Sequence, residues 1–369
     1  MNRLLACLFT AALLCGTANA QILIGQTAGF TGTVAAGVKE TTEGARLWID
    51  AVNAKGGVNG QKIELVQLDD KFDPKLAAAN ARVLVEEKNV LALFLTRGTP
   101  TAEAMLPVLE QHGVPLVAPS TGAMVLHQPL RRQVFNVRAT YQREAEKAVE
   151  HLASVGIHRI ALIAANDSFG SDAAQGAERG LQDTKLQAVL QMKVDRSKPD
   201  YGKIVPAIIQ SDAQAVVWMA SGNAVAEGIK ALRQAGSAAQ VVTLSNNASS
   251  GFVKSLGPAS RGVIVTQVFP YERSLGSPFV REAIELARAK GQEGVSPAML
   301  EGFAAAKVLV EGLHRAGKSP TRASLTAALE GLRKFDLGGG LEVSYSGTDH
   351  TGLRFADLSI IGPDGRFRR

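Results

Sequence analysis

The chain has 369 residues, of which 46% are hydrophobic and 20% charged, and this composition is typical of a globular protein with more than one core. The formal net charge is +6, basic residues are interspersed with 34 acidic ones, and aromatic residues make up only 5%. These numbers provide neither the basic run nor the stacking surface of a nucleic-acid-binding protein, so we expect no nucleic-acid partner.

The first 20 residues have the three parts of an export signal. Asn2 and Arg3 precede the apolar run LLACLFTAALL, which is too short to span a bilayer, and Ala18-Asn19-Ala20 forms an A-x-A cleavage motif. We therefore predict cleavage after Ala20, a mature chain starting at Gln21, and a periplasmic protein that does not span the membrane.

The two cysteines of the chain allow one alternative to this signal. A lipoprotein signal would be cleaved before Cys15, but Leu14 stands where such a signal carries a small residue. Cys7 and Cys15 both lie before the predicted cleavage site. The mature protein is therefore expected to have no disulfide and no Cys-ligated metal. An exported protein does not need disulfides when its hydrophobic core is large enough.

From Gln21 onward, predicted strands and helices alternate. Short runs rich in Val, Ile and Leu predict strands that helices cover on both faces. The predicted strands are 22–27, 62–68, 90–95, 114–118 and 134–138, followed by 159–165, 186–192, 215–220, 241–244 and 262–267. Helices are predicted near 38–54, 74–87 and 100–112. This alternation favours an α/β fold with two doubly wound parallel sheets.

The last hundred residues break the alternation. Residues 277–331 are predicted to be mostly helical, and strands at 340–346 and 352–361 flank the polar turn GTDHTG. A chain in this order passes more than once between two lobes, which restricts their motion to a hinge suited to closing on a ligand. We predict three crossovers, near Arg138–Tyr141, Gln267–Tyr271 and Val343–Ser346. The predicted lobes are 21–139 with 270–344, and 140–269 with 345–369.

Two loops of the first lobe have the residues of an anion site. Ligands of open α/β sheets lie beyond the carboxyl ends of the strands, and free N–H groups at helix N-termini attract carboxylates or phosphates. In the segment LFLTRGTPTAEA, Gly98 allows close backbone approach and Thr99 precedes a helix. Ser120, Thr121 and Gly122 add two hydroxyls and an unobstructed amide. The alternative is that Thr99 only caps its helix.

A third loop, ANDSFGSD at 165–172, ends a strand of the second lobe. Phe169 in this loop is a candidate cover for a ligand, although an aromatic residue at a helix start is more often part of the core. Motifs of hydrolases, P-loop enzymes and zinc proteases are absent from the sequence, and the six histidines are dispersed. We therefore expect no enzyme activity, no cofactor and no metal site.

The stretch GARLWIDAVNAKGGVNGQKIELVQLDDKFDP resembles the start of the leucine/isoleucine/valine-type periplasmic binding proteins, the ligand receptors of ABC importers. The resemblance continues through GTPTAEAMLPVLEQHGVPLVAPSTG, IALIAANDSFG and LRQAG. It implies a type I periplasmic binding fold of two lobes joined by three crossovers, with the ligand in the cleft between them.

The resemblance also implies which residues bind the ligand. Loops of lobe one hold its carboxylate, at positions that match Thr99, Ser120, Thr121 and Gly122, and Phe169 matches an aromatic lid. The other candidates are Arg97 and Gly98 in the first of these loops and three residues of lobe two: Asn223 after the strand 215–220, and Ser245 and Asn246 after the strand 241–244. The loop Phe30–Ala36 also lines the cleft. Arg97 is a candidate for a second anionic group, the alternative being a solvent-facing side chain.

The loop that follows the predicted strand 241–244 differs from the family pattern. Amino-acid-binding members of the family have an acidic residue in this loop, which holds the ligand's ammonium. Here the loop reads Ser245-Asn246-Asn247, and a buried ammonium without a carboxylate is costly. The loop therefore favours a ligand without that cation, unless Asp167 from a neighbouring loop replaces the missing acid.

These observations predict a monomeric solute-binding protein for a small carboxylated molecule, an amino acid or an organic or aromatic acid, delivered to ABC permease subunits. The alternatives are an extracytoplasmic ligand sensor on the same fold and, less favoured, a hydrolase acting in the cleft.

Overall fold

The computed structural model describes residues 21–369. The predicted signal, its cleavage site and both cysteines lie outside this range. The first sheet is parallel throughout and has the order β2-β1-β3-β4-β5. Its strands are β1 (Ile22–Ala28), β2 (Ile63–Asp69), β3 (Ala92–Phe94), β4 (Leu116–Val117) and β5 (Val134–Phe135). The helices between them are α1 (Ala35–Ala54), α2 (Pro74–Arg82) and α3 (Thr99–His112).

The second sheet begins with five parallel strands. They are β6 (Ile160–Ala165), β7 (Ala188–Val194), β8 (Ala215–Met219), β9 (Gln240–Thr243) and β10 (Ile264–Gln267). The helices are α4 (Tyr141–Ser154), α5 (Ser168–Asp183), α6 (Tyr201–Gln210), α7 (Asn223–Gln234) and α8 (Ser250–Leu256).

The tail adds three helices, a separate two-stranded sheet and the last two strands of the second sheet. It contains α9 (Pro278–Ala289), α10 (Pro297–Ala316), α11 (Arg322–Glu330), the short pair β11 (Phe335–Asp336) and β12 (Glu342–Val343), and finally β13 (Asp357–Ile361) and β14 (Phe367–Arg368). The last two strands extend the second sheet antiparallel, which gives the order β14-β13-β10-β9-β8-β6-β7. The predicted α/β fold with two doubly wound sheets is confirmed. Among the described residues, no helix combines the length and apolar character needed to cross a bilayer.

Each sheet has its own core, and these cores define the two lobes. α9, α10 and α11 pack with the first sheet to form lobe one, and α4 to α8 pack with the second sheet to form lobe two. Tyr345 and Leu353 still belong to the core of lobe one, because the Tyr345 hydroxyl donates to Asn136 O at 2.6 Å and Leu353 N donates to Val137 O at 2.9 Å. The packing therefore favours a third crossover after Leu353, later than predicted at Val343–Ser346. The precise lobe bounds remain a prediction.

The turn after α1 shows why its sequence is so specific. The Asn53 amide donates to Ile63 O at 2.8 Å and accepts from Ile63 N at 2.9 Å, so one side chain ties the helix end to β2 as a strand neighbour would. Gly57 has a φ of +80°, and a Cβ there would lie 2.0 Å from Gln61 O. Only glycine allows this tight return into the strand.

The strands β3 and β4 are shorter than predicted. Leu95 and Ala118 both have a φ of +51°, a left-handed conformation that breaks the extended chain immediately before the two predicted anion loops. Their N–H groups still bond to the neighbouring strands, Leu95 to Val117 O at 3.1 Å and Ala118 to Phe135 O at 2.8 Å. The sheet thus holds the start of each loop in place while the chain turns away from it.

Candidate functional site

Arg97 connects the two lobes. Its Nη1 donates to Ser120 Oγ at 3.1 Å within lobe one, and its Nη2 donates to Asn246 O at 2.6 Å in lobe two. The predicted loops at the carboxyl ends of β3, β4 and β9 therefore meet at one guanidinium group. Their convergence follows from parallel strands, whose carboxyl ends share one edge of each sheet.

The charge of Arg97 has no counter-ion in the part of the chain that the structure describes. The residue is only 5% exposed, so the solvent-facing alternative is wrong, yet no carboxylate oxygen lies within 4.0 Å of it. Its recorded partners are a hydroxyl and a carbonyl oxygen. A buried charge without an ionic partner is costly, so this position is suited to an anion from outside the chain.

The neighbouring predicted residues of lobe one are close together but satisfy each other. The hydroxyls of Thr99 and Thr121 lie 2.8 Å apart and both residues are buried. A Cβ at Gly98 would lie 2.4 Å from the Phe72 ring, and a Cβ at Gly122 would lie 2.5 Å from Ala139 O. Gly98 thus allows close packing against the turn that precedes α2, and Gly122 allows close packing against the first crossover.

In lobe two, most polar groups of the loop Ser245–Asn247 form hydrogen bonds with other groups of the chain. Ser245 N donates to Glu144 Oε2 at 2.9 Å, and the Asn246 amide donates to Ala220 O at 3.1 Å. Asn247 accepts from Gly222 N at 2.8 Å. Only Asn246 Oδ1 is buried in this loop without a hydrogen-bond partner.

Phe169 lies in the core of lobe two rather than at an open cleft. It is 3% exposed and makes an edge-on contact with Tyr141, with ring centroids 4.7 Å apart. Asp167 is also engaged, because its carboxylate lies 2.6 Å from Arg196 Nη2 and caps α5 through Gly170 N at 3.0 Å. This pairing disfavours Asp167 as the replacement for the missing acid of the loop after β9.

A buried group of charges that the sequence did not reveal surrounds Tyr141. Arg138 Nη2 donates to Glu144 and, at 2.7 Å, to Ser245 Oγ. Burial opposes the charge of Arg138, but Glu144, Tyr141 and Glu301 together outweigh it and raise the pKa of the guanidinium. Burial raises the pKa of Tyr141, and the charges of Arg97, Arg138, Glu144 and Glu301 all act on its hydroxyl. These four charges therefore share one neighbourhood around Tyr141.

Glu301 on α10 is the member of this group that lacks a close partner. Its Oε2 lies 3.8 Å from Arg138 Nη1, beyond hydrogen-bond distance, and its Oε1 is buried without a partner. Glu144 already occupies Arg138 at closer range. The sequence offered one indication of this residue, an acid near the start of the apolar run MLEGFAAAKVLV. Nearly all residues of that run are buried in the structure.

Several contacts hold the lobes together around the site. Glu40 of α1 accepts from Ser250 N at 2.9 Å and from Gly251 N at 2.7 Å, and Thr33 O accepts from Asn223 N at 3.3 Å. The guanidinium of Arg196 lies 4.5 Å from the centre of the Phe72 ring. The described arrangement is therefore a closed one.

The space that remains beside Arg97 is small. A cavity of about 20 Å³ touches Arg97, Asn223 and Asn246, as well as Thr33, Val34 and Ala36 of the predicted loop Phe30–Ala36. This volume is enough for about one water molecule. A larger solute can enter only if the lobes separate. Away from the cleft, Glu146, Glu150 and Asp183 form a triad of carboxylates within 4.8 Å of one another, and nothing else at that position indicates a metal.

Comparison with known proteins identifies the fold and the family. The family model described as periplasmic binding protein matches residues 21–358. The Leu/Ile/Val-binding protein homolog 3 of Brucella melitensis is 25% identical, over 85% of this chain and 84% of its own. The crystal structure of a substrate-binding periplasmic protein from Ralstonia solanacearum superposes with a TM-score of 0.87 at 32% identity, covering 94% of this chain and 99% of that one.

A possible leucine/isoleucine/valine-binding protein from Rhodopirellula baltica is similar as well. Its crystal structure gives a TM-score of 0.87 at 26% identity and covers 95% of this chain and 97% of its own. The two sheets, the three crossovers and these similarities agree with one another. The chain belongs to the periplasmic binding protein family, as a type I solute-binding protein of the leucine/isoleucine/valine type.

Proposed function

We propose that this protein captures a small carboxylated solute between its lobes in the periplasm and delivers it to the permease of an ABC importer. The observation that carries the proposal is Arg97, a buried guanidinium between the lobes with no carboxylate of the described chain within 4.0 Å. A ligand carboxylate would supply the missing charge and accept two parallel hydrogen bonds from the planar group.

Binding in this proposal is a change in population and involves no covalent chemistry. The open lobes admit the solute, and the closed state is favoured because contacts from both lobes form only around it. The carboxylate replaces Asn246 O as the partner of Arg97 Nη2. The proposed site consists of Arg97, Gly98, Thr99, Ser120, Thr121 and Gly122 from lobe one and Asn223, Ser245 and Asn246 from lobe two. Phe169 is left out of it, because it packs on Tyr141 in the core of lobe two.

The direct test is to identify what the protein carries. Protein secreted to the periplasm is purified with no ligand added and is then denatured, and the small molecules that it releases are analysed by mass spectrometry. A carboxylated solute that restores thermal stability on re-addition supports the proposal. Release of only uncharged solutes such as sugars would contradict it. The intact mass and the elution volume of the same sample test the predicted cleavage after Ala20 and the predicted monomer.

Removing either hydroxyl of lobe one is expected to weaken binding of that solute. Ser120→Ala removes the acceptor that orients Arg97, and Thr99→Ala removes the partner of Thr121. Each is expected to cost about 1–2 kcal/mol of binding free energy, because the hydrogen bonds lie next to a charged group. Isothermal calorimetry gives the affinities, with the exposed Ser154→Ala as the matched control. Unchanged affinity in both variants would place the anion elsewhere.

A second candidate is that the solute is an amino acid, as the name of the Brucella melitensis relative states for that protein. Glu301 favours it, because its free Oε1 lies in the same charged group as Arg97 and is able to accept from an ammonium. The loop Ser245–Asn247 then need not contain an acid. The two candidates differ only in the presence of this cation.

Leucine and 4-methylpentanoate, which lacks the amino group, separate the candidates. If Glu301 holds an ammonium, Glu301→Gln is expected to weaken leucine binding at least about tenfold and to leave 4-methylpentanoate unchanged. Glu311→Gln on the exposed side of the same helix is the matched control. Equal loss for both compounds would mean that Glu301 only supports Arg138, and tighter binding of the deaminated acid would favour a ligand without the cation.

A further inference from the structure

A groove separate from Arg97 runs across the outer side of the lobe junction. It has a volume of about 880 Å³ and lies between α1, α8, the loop joining α9 to α10, and the segment that follows the second crossover. It touches the interlobe cavity only at Ala36 and Gly251. No residue of the proposed carboxylate site lines it.

Two acceptor oxygens in the lining of this groove have no hydrogen-bond partner. Glu272 is 5% exposed and its Oε2 is unpartnered, and Oε1 of the half-buried Gln292 is unpartnered as well. Arg273 Nε is 3.8 Å from the other Glu272 oxygen, too far for a hydrogen bond. Burial raises the pKa of Glu272 to about 7, which shows how little its surroundings compensate the charge.

Unpaired acceptors of this kind call for a donor. A buried carboxylate without a donor costs free energy, and buried polar groups of folded proteins are nearly always satisfied. Among the described residues, the other basic side chains of the lining, Lys39, Arg288 and Arg366, form no ion pair with Glu272. The donor is therefore expected to come from outside the chain.

The rest of the groove is suited to an aliphatic chain. Leu275 is 59% exposed, an unusual degree for a large apolar side chain, and Ile284, Val295 and Met299 continue the apolar lining. An occupant that covers Leu275 while it donates to Glu272 combines an apolar stem with a cationic head. Burial of the stem adds favourable free energy in proportion to the apolar area covered.

We propose that this groove binds an aliphatic primary ammonium, with the ammonium donating to Glu272 and Gln292 and the alkyl chain lying against Leu275. The proposal does not depend on the carboxylated solute, because the two sites share no charged residue. It assigns to the protein a second small-molecule site at the junction of its lobes.

The test is calorimetric titration of the exported protein with pentylammonium at pH 8, with pentan-1-ol as the uncharged probe. Saturable binding of the amine is expected, with affinity at least about tenfold weaker in Glu272→Gln and weaker in Gln292→Leu. Glu293→Gln, an exposed residue of the same lining, is the matched control and is expected to bind as the wild type does. The Gln292 variant keeps the proposal testable if Glu272→Gln does not fold.

Three further outcomes would overturn the proposal. Equal binding of pentan-1-ol would show that the groove accepts any alkyl chain. An amine titration that does not saturate, or an amine affinity that is unchanged in both the Glu272 and the Gln292 variant, would show that water alone satisfies the acceptors. An Arg97→Met variant separates the two sites. It is expected to lose the carboxylated solute and keep the amine, so loss of the amine in that variant would place the amine in the cleft.

Discussion

Arg97→Met is expected to weaken binding of the carboxylated solute by about 2–5 kcal/mol, which is about 30-fold to several thousand-fold in affinity. The variant has an apolar side chain of similar length and removes the guanidinium that contacts both Ser120 and Asn246. The solute's carboxylate is then buried without a cation. Calorimetry with the solute released from the wild-type protein measures the effect.

Two further variants make this result specific. Arg97→Lys keeps the charge but not the planar pair of donors, so its affinity is expected to fall between the wild type and the methionine variant. Arg354→Met removes an exposed arginine near the third crossover and is the matched control. If the methionine variant binds as tightly as the control, the anion does not contact Arg97 and the proposed site is wrong.

Gly302→Ala is expected to lower the free energy of unfolding by about 3 kcal/mol or more, or to prevent folding. Gly302 on α10 faces α1, and a Cβ there would lie 1.7 Å from Thr41 O, a backbone atom that moves only with its helix. Gly44 forms the reciprocal contact, since its Cβ would lie 1.9 Å from Met299 O. The two helices are in contact through their backbones.

Urea unfolding followed by circular dichroism measures this effect. Gly202→Ala is the matched control, because that helical glycine has only the flexible Asp200 side chain nearby, at 3.3 Å, and alanine favours a helix. A variant at position 302 that unfolds at the same urea concentration as the control would contradict the close α1–α10 packing. Since Glu301 precedes this contact, a folded Gly302→Ala protein is also expected to bind its solute less tightly.

The position of the candidate site was predictable because it depends on local signals. The ends of strands 90–95 and 114–118 were visible in the sequence, and ligands of parallel sheets lie beyond such ends. Arg97, Gly98, Thr99 and Ser120–Gly122 were therefore selected correctly as neighbours of one another. The contacts that each of these residues makes could not be predicted from the sequence. The hydroxyls of Thr99 and Thr121 bond to each other, and Phe169 packs on Tyr141 in the core of lobe two.

The charges of the site could not be predicted in the same way. Glu301 lies 163 positions after Arg138 in the chain, and only the return of α10 onto lobe one brings their side chains within 3.8 Å. In the sequence, Glu301 is a single acid within an apolar helix, and such a pattern is also typical of a helix at the edge of a hydrophobic core. The packing likewise favours a third crossover later than the predicted Val343–Ser346, because Tyr345 and Leu353 bond to lobe-one backbone far away in sequence.

The sequence by itself determined the alternation of strands and helices and the two parallel sheets, and its motifs carried the resemblance to the family and the prediction of the ligand-binding loops. The strands, helices and sheets follow from apolar periodicity and from glycines at turns, which act over a few residues. The tertiary structure alone decided that Arg97 is buried without a counter-ion, that Glu301 keeps a free oxygen and that Glu272 lines a second groove. Arg97 and Glu301 each face a residue more than a hundred positions away, Asn246 and Arg138 respectively, and only the folded chain brings them together.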